Sequence, residues 1–226
     1  MTEFFQRIAP NVVEIQDRLL EATLETIYMT LVSGAFVLVL GIFIGVVLVV
    51  TRQGGIMEKP GLYNVLSNVI SALRSIPFII MIALLGPVTR LIVGTTIGTT
   101  ASIVPLIIGM VPFYSKQVEN ALLEVDSGIV EAAVSMGASN IDIIFSVYLK
   151  EGLPALIRTT SVSVINLISL TAMAGTIGGG GLGDLAITRG YNRFQTDVTL
   201  ACTIIIMLLV ALTQVIGRFL AKRTEH

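Results

Sequence analysis

Apolar residues run along this chain in stretches too long for a soluble core helix. A bilayer core of about 30 Å is crossed by about 20 apolar residues in a helix. Five segments reach that length: residues 26–50, 66–85, 97–114, 153–176 and 198–220. Ahead of the first, Ile8, Val12, Ile15, Leu19 and Ala22 recur at helical spacing opposite Glu14, Arg18, Glu21 and Glu25. That pattern predicts an amphipathic helix over residues 1–25, lying along the membrane surface or against the bundle. The first long segment is not a cleavable signal peptide, because it is too long and acidic residues rather than a basic stretch precede it. The chain therefore divides into an N-terminal amphipathic segment (1–25), a membrane domain (26–220) and a short tail (221–226).

Within the spans, Gly41 and Gly45 form a G-x-x-x-G pair, with Gly34 seven residues earlier, a spacing that lets helix backbones approach closely. Pro77, in the run Arg74-Ser75-Ile76-Pro77-Phe78, removes a backbone donor and kinks whatever helix contains it. Arg74 beside it is placed to snorkel to an interface. The tract from Gly178 to Gly181, followed by Gly183 and Asp184, cannot continue a stable helix, so the fourth span ends near Thr176 and an irregular loop precedes the fifth.

A polar interval of about residues 124–154 separates the third and fourth spans. Glu131, Asp142, Lys150 and Glu151 make it too polar to cross a membrane. Asp126 or Ser127 is available as an N-cap, Gly137-Ala138-Ser139-Asn140 interrupts the helix, and Ser139 with Asp142 three residues on resembles a capping box that restarts one. Two short helices joined by a glycine turn are expected here.

Composition agrees with the pattern: 54% of the 226 residues are hydrophobic and 13% charged, against about 25% charged in soluble domains, and mean hydropathy is +0.90. A net charge of −1 without a dense basic tract gives no sign of nucleic-acid binding. Cys202 is the single cysteine and His226, the last residue, the single histidine. An intramolecular disulfide is thereby excluded, and a histidine-based metal or catalytic site is not expected. Lys and Arg near the span ends (Arg52 and Lys59, then Arg218, Lys222 and Arg223) place the C-terminus in the cytoplasm and the N-terminus outside, although Arg189 and Arg193 then fall outside. A phosphate-binding loop needs G-x-x-x-x-G-K-[ST], and no Gly-Lys pair occurs. Ser161, Ser163 and Ser169 lack a base for hydrolysis. The predicted spans also hold no Asp or Glu well inside them, which argues against a proton-coupled secondary transporter.

Glu131-Ala132-Ala133, then Gly137, with Leu153-Pro154 further on, resembles the EAA loop of ABC importer permeases. The resemblance implies a coupling helix seated on a separate ATPase, with Glu131 a polar anchor, Ala132 and Ala133 the contact surface, Gly137 the turn, and Ala138 and Ser139 beside it. Lys150 stands where such families usually carry proline. Taken with the Arg74–Phe78 run and the tract from Thr171 to Phe194, the chain over about residues 20–220 resembles the permease subunit of methionine-type ABC importers. That resemblance implies an all-α, type I importer fold of five transmembrane helices per subunit in the bacterial inner membrane. It further implies a second copy of the chain, two ATPase subunits holding ATP and magnesium, an extracytoplasmic binding lipoprotein, and import of methionine, its D-isomer or derivatives. This chain itself would hold no cofactor and catalyse no reaction. Another small amino acid or nutrient is the alternative cargo. Along the fourth span, Asn166, Ser169, Thr171 and Met173 are the candidate path and gate residues, Met173 because a flexible thioether adapts to an apolar cargo. Gly178, Gly179, Gly180, Gly181, Gly183 and Asp184 form the expected structural loop.

Overall fold

A computed structural model describes residues 9–224. Ile8 and His226 lie outside the described residues. Among these residues every regular element is a helix. Four helices are long and apolar enough to cross a membrane: Gln16–Thr51, Thr99–Leu123, Leu153–Gly175 and Thr196–Thr224. A fifth span exists if the bent pair Pro60–Ser75 and Phe78–Leu84 is counted as one.

The differences from the sequence expectation have local causes. The first span begins at Gln16, so the amphipathic segment is not a separate surface helix; after a short Pro10–Glu14 helix it continues unbroken into the membrane helix. It stops where Gly54, at φ +74°, lets the chain reverse and the Met57 and Lys59 N–H groups return to the carbonyls of Val50 and Thr51. The second span is more than kinked. Pro77 forces Ile76 into an extended conformation (φ −79°, ψ 120°), and the two helices meet at 101°. An additional helix, Gly86–Val93, then ends at Gly94 in the left-handed conformation. The third span runs on to Leu123, nine residues past its expected end at Tyr114. It is the most enclosed of the four long helices, with 67% of its apolar window buried, against 11% for Thr196–Thr224.

Cα packing divides the chain into two compact units. One comprises Met1–Ala35, Pro77–Ile108 and Val164–Thr213. Its core gathers Ile15, Ala22, Leu182, Leu185, Val198 and Cys202, with Val12 and Leu19 packed against them. The apolar face at the N-terminus thus covers protein. Gly34 there meets the Leu167 side chain at 3.6 Å from where its Cβ would lie, an ordinary contact.

The other unit comprises Phe36–Ile76, Gly109–Ser163 and Gln214–His226. Here the G-x-x-x-G pair makes the close approach its spacing predicts: a Cβ on Gly41 would collide with the Tyr114 ring, and one on Gly45 would lie 2.5 Å from Val118 Cγ1 and 2.9 Å from the Ser115 carbonyl oxygen. Tyr114 is fully buried, and its hydroxyl shares a 2.6 Å hydrogen bond with Thr160 Oγ1.

Candidate functional site

The polar interval between the third and fourth spans is built by local capping. The Asp126 side chain accepts a 2.6 Å hydrogen bond from the Gly128 N–H and opens the Ser127–Ser135 helix. That helix ends at Gly137, whose φ of +80° favours glycine, while Ala138 N–H donates back to the Ala133 carbonyl. Ser139 then starts the next helix with both halves of a capping box: its hydroxyl oxygen accepts from Asp142 N–H (3.2 Å) and Asp142 Oδ2 accepts from Ser139 N–H (3.3 Å).

From Asn140 the second helix is wider than the sequence suggests. A π-helical stretch, Ile143–Tyr148, adds a residue per turn before a short α segment, Leu149–Glu151. The proline expected at position 150 is not needed for the break. The break falls at Gly152, where a Cβ would lie 2.5 Å from the Tyr148 carbonyl oxygen and 2.8 Å from Leu122 Cδ2. Pro154 sits in the first turn of the following helix, where its missing N–H costs nothing. Burial raises the Tyr148 hydroxyl above its ordinary pKa, with Arg52 pulling the other way.

Exposure divides the six residues singled out for coupling. Glu131, Ala132, Gly137 and Ser139 are exposed and Ala138 is half-buried. Ala133 is 7% exposed and packs inward with Val130. The exposed surface instead includes Val134, Met136 and Ile141. Sequence reading passed over them because exposed apolar residues on a short helix carry no motif. Beside this segment a 310 Å³ cleft is lined by Glu124, Val125, Glu151, Gly152, Pro154 and Arg158, among others.

On the fourth span, Asn166, Ser169 and Met173 follow one another at helical spacing, with Ser169 and Met173 exposed and Asn166 half-buried. Thr171 is placed differently. It is 1% exposed, and its hydroxyl donates to the Ile168 carbonyl at 2.7 Å. The hydroxyls of Ser161 and Ser169 likewise donate to carbonyls four residues back.

The glycine tract is ordered rather than irregular. Gly178, Gly180 and Gly181 all hold positive φ, and the chain then enters a Gly181–Leu185 helix that continues as a π-helix, Ala186–Tyr191. The first two N–H donors of that helix find their acceptors 156 residues away: Gly181 donates to Glu25 Oε2 at 2.6 Å and Leu182 to Thr26 Oγ1 at 2.9 Å. Gly179 backs onto Ser102 and the Ala174 carbonyl, and a Cβ on Gly183 would collide with the Ala172 backbone. Asp184 is held above the ordinary carboxylate pKa by burial, with Glu25 adding to the rise and Arg18 and Thr188 opposing it. Nearby, Thr89, Thr96, Ala101, Ser102 and Gly179 help line a cavity of about 280 Å³ with no charged wall residue.

One functional-looking group escaped the sequence reading. Glu119, expected beyond the third span, lies within its helix at 1% exposure, 2.6 Å from Lys116 Nζ and accepting a 2.9 Å hydrogen bond from the Tyr63 hydroxyl. The i, i+3 spacing of Lys116 and Glu119 was the available signal. Among the described residues no group of three or more His, Cys, Asp or Glu side chains is arranged to hold a metal.

Long apolar helices, a polar capped segment between two of them and a glycine-stapled turn define a multi-pass helical membrane permease. The chain belongs to the family of binding-protein-dependent transport system inner membrane components, whose model matches residues 37–226. It is 45% identical over 210 residues to the probable D-methionine transport system permease protein MetI of Vibrio cholerae, covering 93% of each chain. It is 45% identical over 213 residues to the methionine import system permease protein MetP of Bacillus subtilis, covering 94% of this chain and 95% of that one. Its fold superposes with a TM-score of 0.92 on a chain of the MetNI methionine ABC transporter solved in inward-facing conformations, at 39% identity and covering 94% and 99% of the two chains. The fold is that of a type I ABC importer permease.

Proposed function

We propose that this chain is the membrane permease of an ATP-driven methionine importer, working as a pair of identical subunits around a central path. The relatives named for methionine transport support the cargo, whether the L- or D-isomer. Hydrolysis of ATP falls to a separate subunit, two copies of which bind the 124–154 segments, and an extracytoplasmic binding protein delivers the cargo. Arg52, Lys59, Arg218, Lys222 and Arg223 at span ends support a cytoplasmic C-terminus and an external N-terminus. Asn166, Ser169 and Met173 are the path residues of this reading.

The observation that carries it is the capped two-helix segment, which exposes Glu131, Ala132, Met136 and Ile141 while its other face, through Ala133 and Ile143, packs into its own chain. A surface of small and apolar residues around one carboxylate suits a groove on a partner. Closure of the ATPases would draw the two segments together and switch the rigid spans between inward and outward openings.

The test is Glu131→Lys, alone and with Gly137→Leu, in the complete transporter. Both are expected to insert and assemble but to lose ATP-driven uptake of labelled methionine. Uptake at the wild-type rate in the double variant would refute the coupling role.

A further inference from the structure

Residues 186–195 play no part in the reading above. The π-helix Ala186–Tyr191 passes through a tight turn into Thr196, the first residue of the last membrane helix. At that turn Phe194 is 91% exposed and Tyr191 73% exposed. Among the described residues Phe194 is the one non-glycine residue with positive φ, at +59°. Bulky residues rarely adopt that conformation, and such outliers persist where the surroundings impose them and cluster at functional sites. The turn is closed by the Phe194 N–H donating to the Tyr191 carbonyl at 3.2 Å.

The stalk behind it is fixed to the membrane helix. Gly190 is buried so tightly against Thr199 that a Cβ would collide with that side chain, and Thr199 Oγ1 donates to the Ala186 carbonyl at 3.4 Å. Two aromatic rings are therefore presented on a braced support. Arg193 is exposed beside them and Arg189 half-buried, with no acidic residue between Asp184 and Asp197.

The placement selects the partner. Between Asp197 and Arg218 the last helix carries no charged residue, a stretch of about 30 Å at about 1.5 Å per residue that matches the about 30 Å hydrocarbon core, so its first turn lies at the headgroup layer. Aromatic residues concentrate at that depth, and arginines pair there with phosphate. The arginines also stand on the side where the Lys and Arg bias of the other span ends would not put them, so their position needs a cause other than topology.

We infer that the 189–194 turn is an interfacial clamp: Phe194 and Tyr191 insert beside the glycerol-ester region, where the acyl chains begin, and Arg189 and Arg193 hold anionic lipid phosphates, fixing the depth of the last span. The inference requires that Thr196–Thr224 crosses a bilayer, and is independent of what is transported.

The chain contains no tryptophan, so Phe194→Trp, and separately Tyr191→Trp, places one fluorophore at the tip. Each variant is reconstituted as the complete transporter, whose subunits must themselves lack tryptophan or carry Phe in its place, in phosphatidylglycerol vesicles with and without brominated acyl chains. The expected result is emission blue-shifted from free tryptophan and quenched several-fold more by brominated lipid than by aqueous iodide, with Arg193→Glu weakening the lipid quenching. Water-like emission with efficient iodide quenching at both positions would overturn the clamp. So would shielding that develops only when the extracytoplasmic binding protein is added, since the turn would then be a protein-docking surface.

Discussion

Replacing Thr26 by valine isolates one long-range hydrogen bond. Valine keeps the shape of threonine and removes its oxygen. In the native chain Thr26 is 3% exposed, and its Oγ1 accepts the 2.9 Å hydrogen bond from the N–H of Leu182, itself fully buried. The same hydroxyl donates to the Ala22 carbonyl at 3.0 Å, which retains its helical donor in the variant. The net loss is thus one buried N–H left without a partner at the start of a helix whose other leading donor is held by Glu25. Orphaning such a donor costs about 1–3 kcal/mol. Cys202 supplies the assay, because it is the single thiol, is fully buried, and sits in the same core cluster as Leu182. If labelling by a thiol reagent proceeds through local opening, each about 1.4 kcal/mol raises its rate about tenfold. Thr26→Val should therefore label roughly five to roughly 150 times faster than wild type, and Thr26→Ser, which keeps the oxygen, close to the wild-type rate. Equal labelling of Thr26→Val and wild type would refute the claim that this bond holds the glycine tract in place, as would an equal acceleration in Thr26→Ser.

Gly45→Leu should destabilise the folded chain by about 1–3 kcal/mol through overpacking, seen as reduced detergent-resistant folding, since its Cβ would lie 2.5 Å from Val118. Gly34→Ala, with its nearest neighbour at 3.6 Å, should fold as wild type. For Asp184 the folded pKa is raised, so the native state binds more protons than the unfolded one between the ordinary carboxylate pKa and the raised value. Stability should therefore fall as pH rises through that window. Asp184→Asn should remove that slope in thermal unfolding measured across mildly acidic pH. Purified chain without a second subunit should hydrolyse no ATP in a phosphate-release assay, because its sequence contains no phosphate-binding loop.

Signals confined to a few neighbouring residues were legible without coordinates. Four of the five expected spans followed from runs of apolar residues, the Ser139–Asp142 capping box from spacing, the Gly137 turn from its residue type, and the close approach at Gly41 and Gly45 from the four-residue repeat. In the capping box and the Gly137 turn the partners lie within one helical turn, and span length is set by the bilayer, so the linear order already contains the geometry; the glycine pair showed only its own half of a contact whose other half, Tyr114 and Val118, lies on another helix. The family resemblance rested on such local motifs.

Tertiary packing decided the rest. Proline at position 77 announced a break, but not its size, 101°. Ala133 and Ala132 are indistinguishable in sequence, and one turns inward only because the Ser127–Ser135 helix lies on the stretch that follows. Glu119 could enter a membrane helix because Tyr63 and Lys116 satisfy it, a pairing spanning 56 positions in the first case. The glycine tract reads as a loop, since neither its residues nor their neighbours supply acceptors for the next helix. Glu25 and Thr26 supply them from the other end of the chain, and a buried donor is satisfied by whichever oxygen folding brings within about 3 Å of it, at any distance along the sequence.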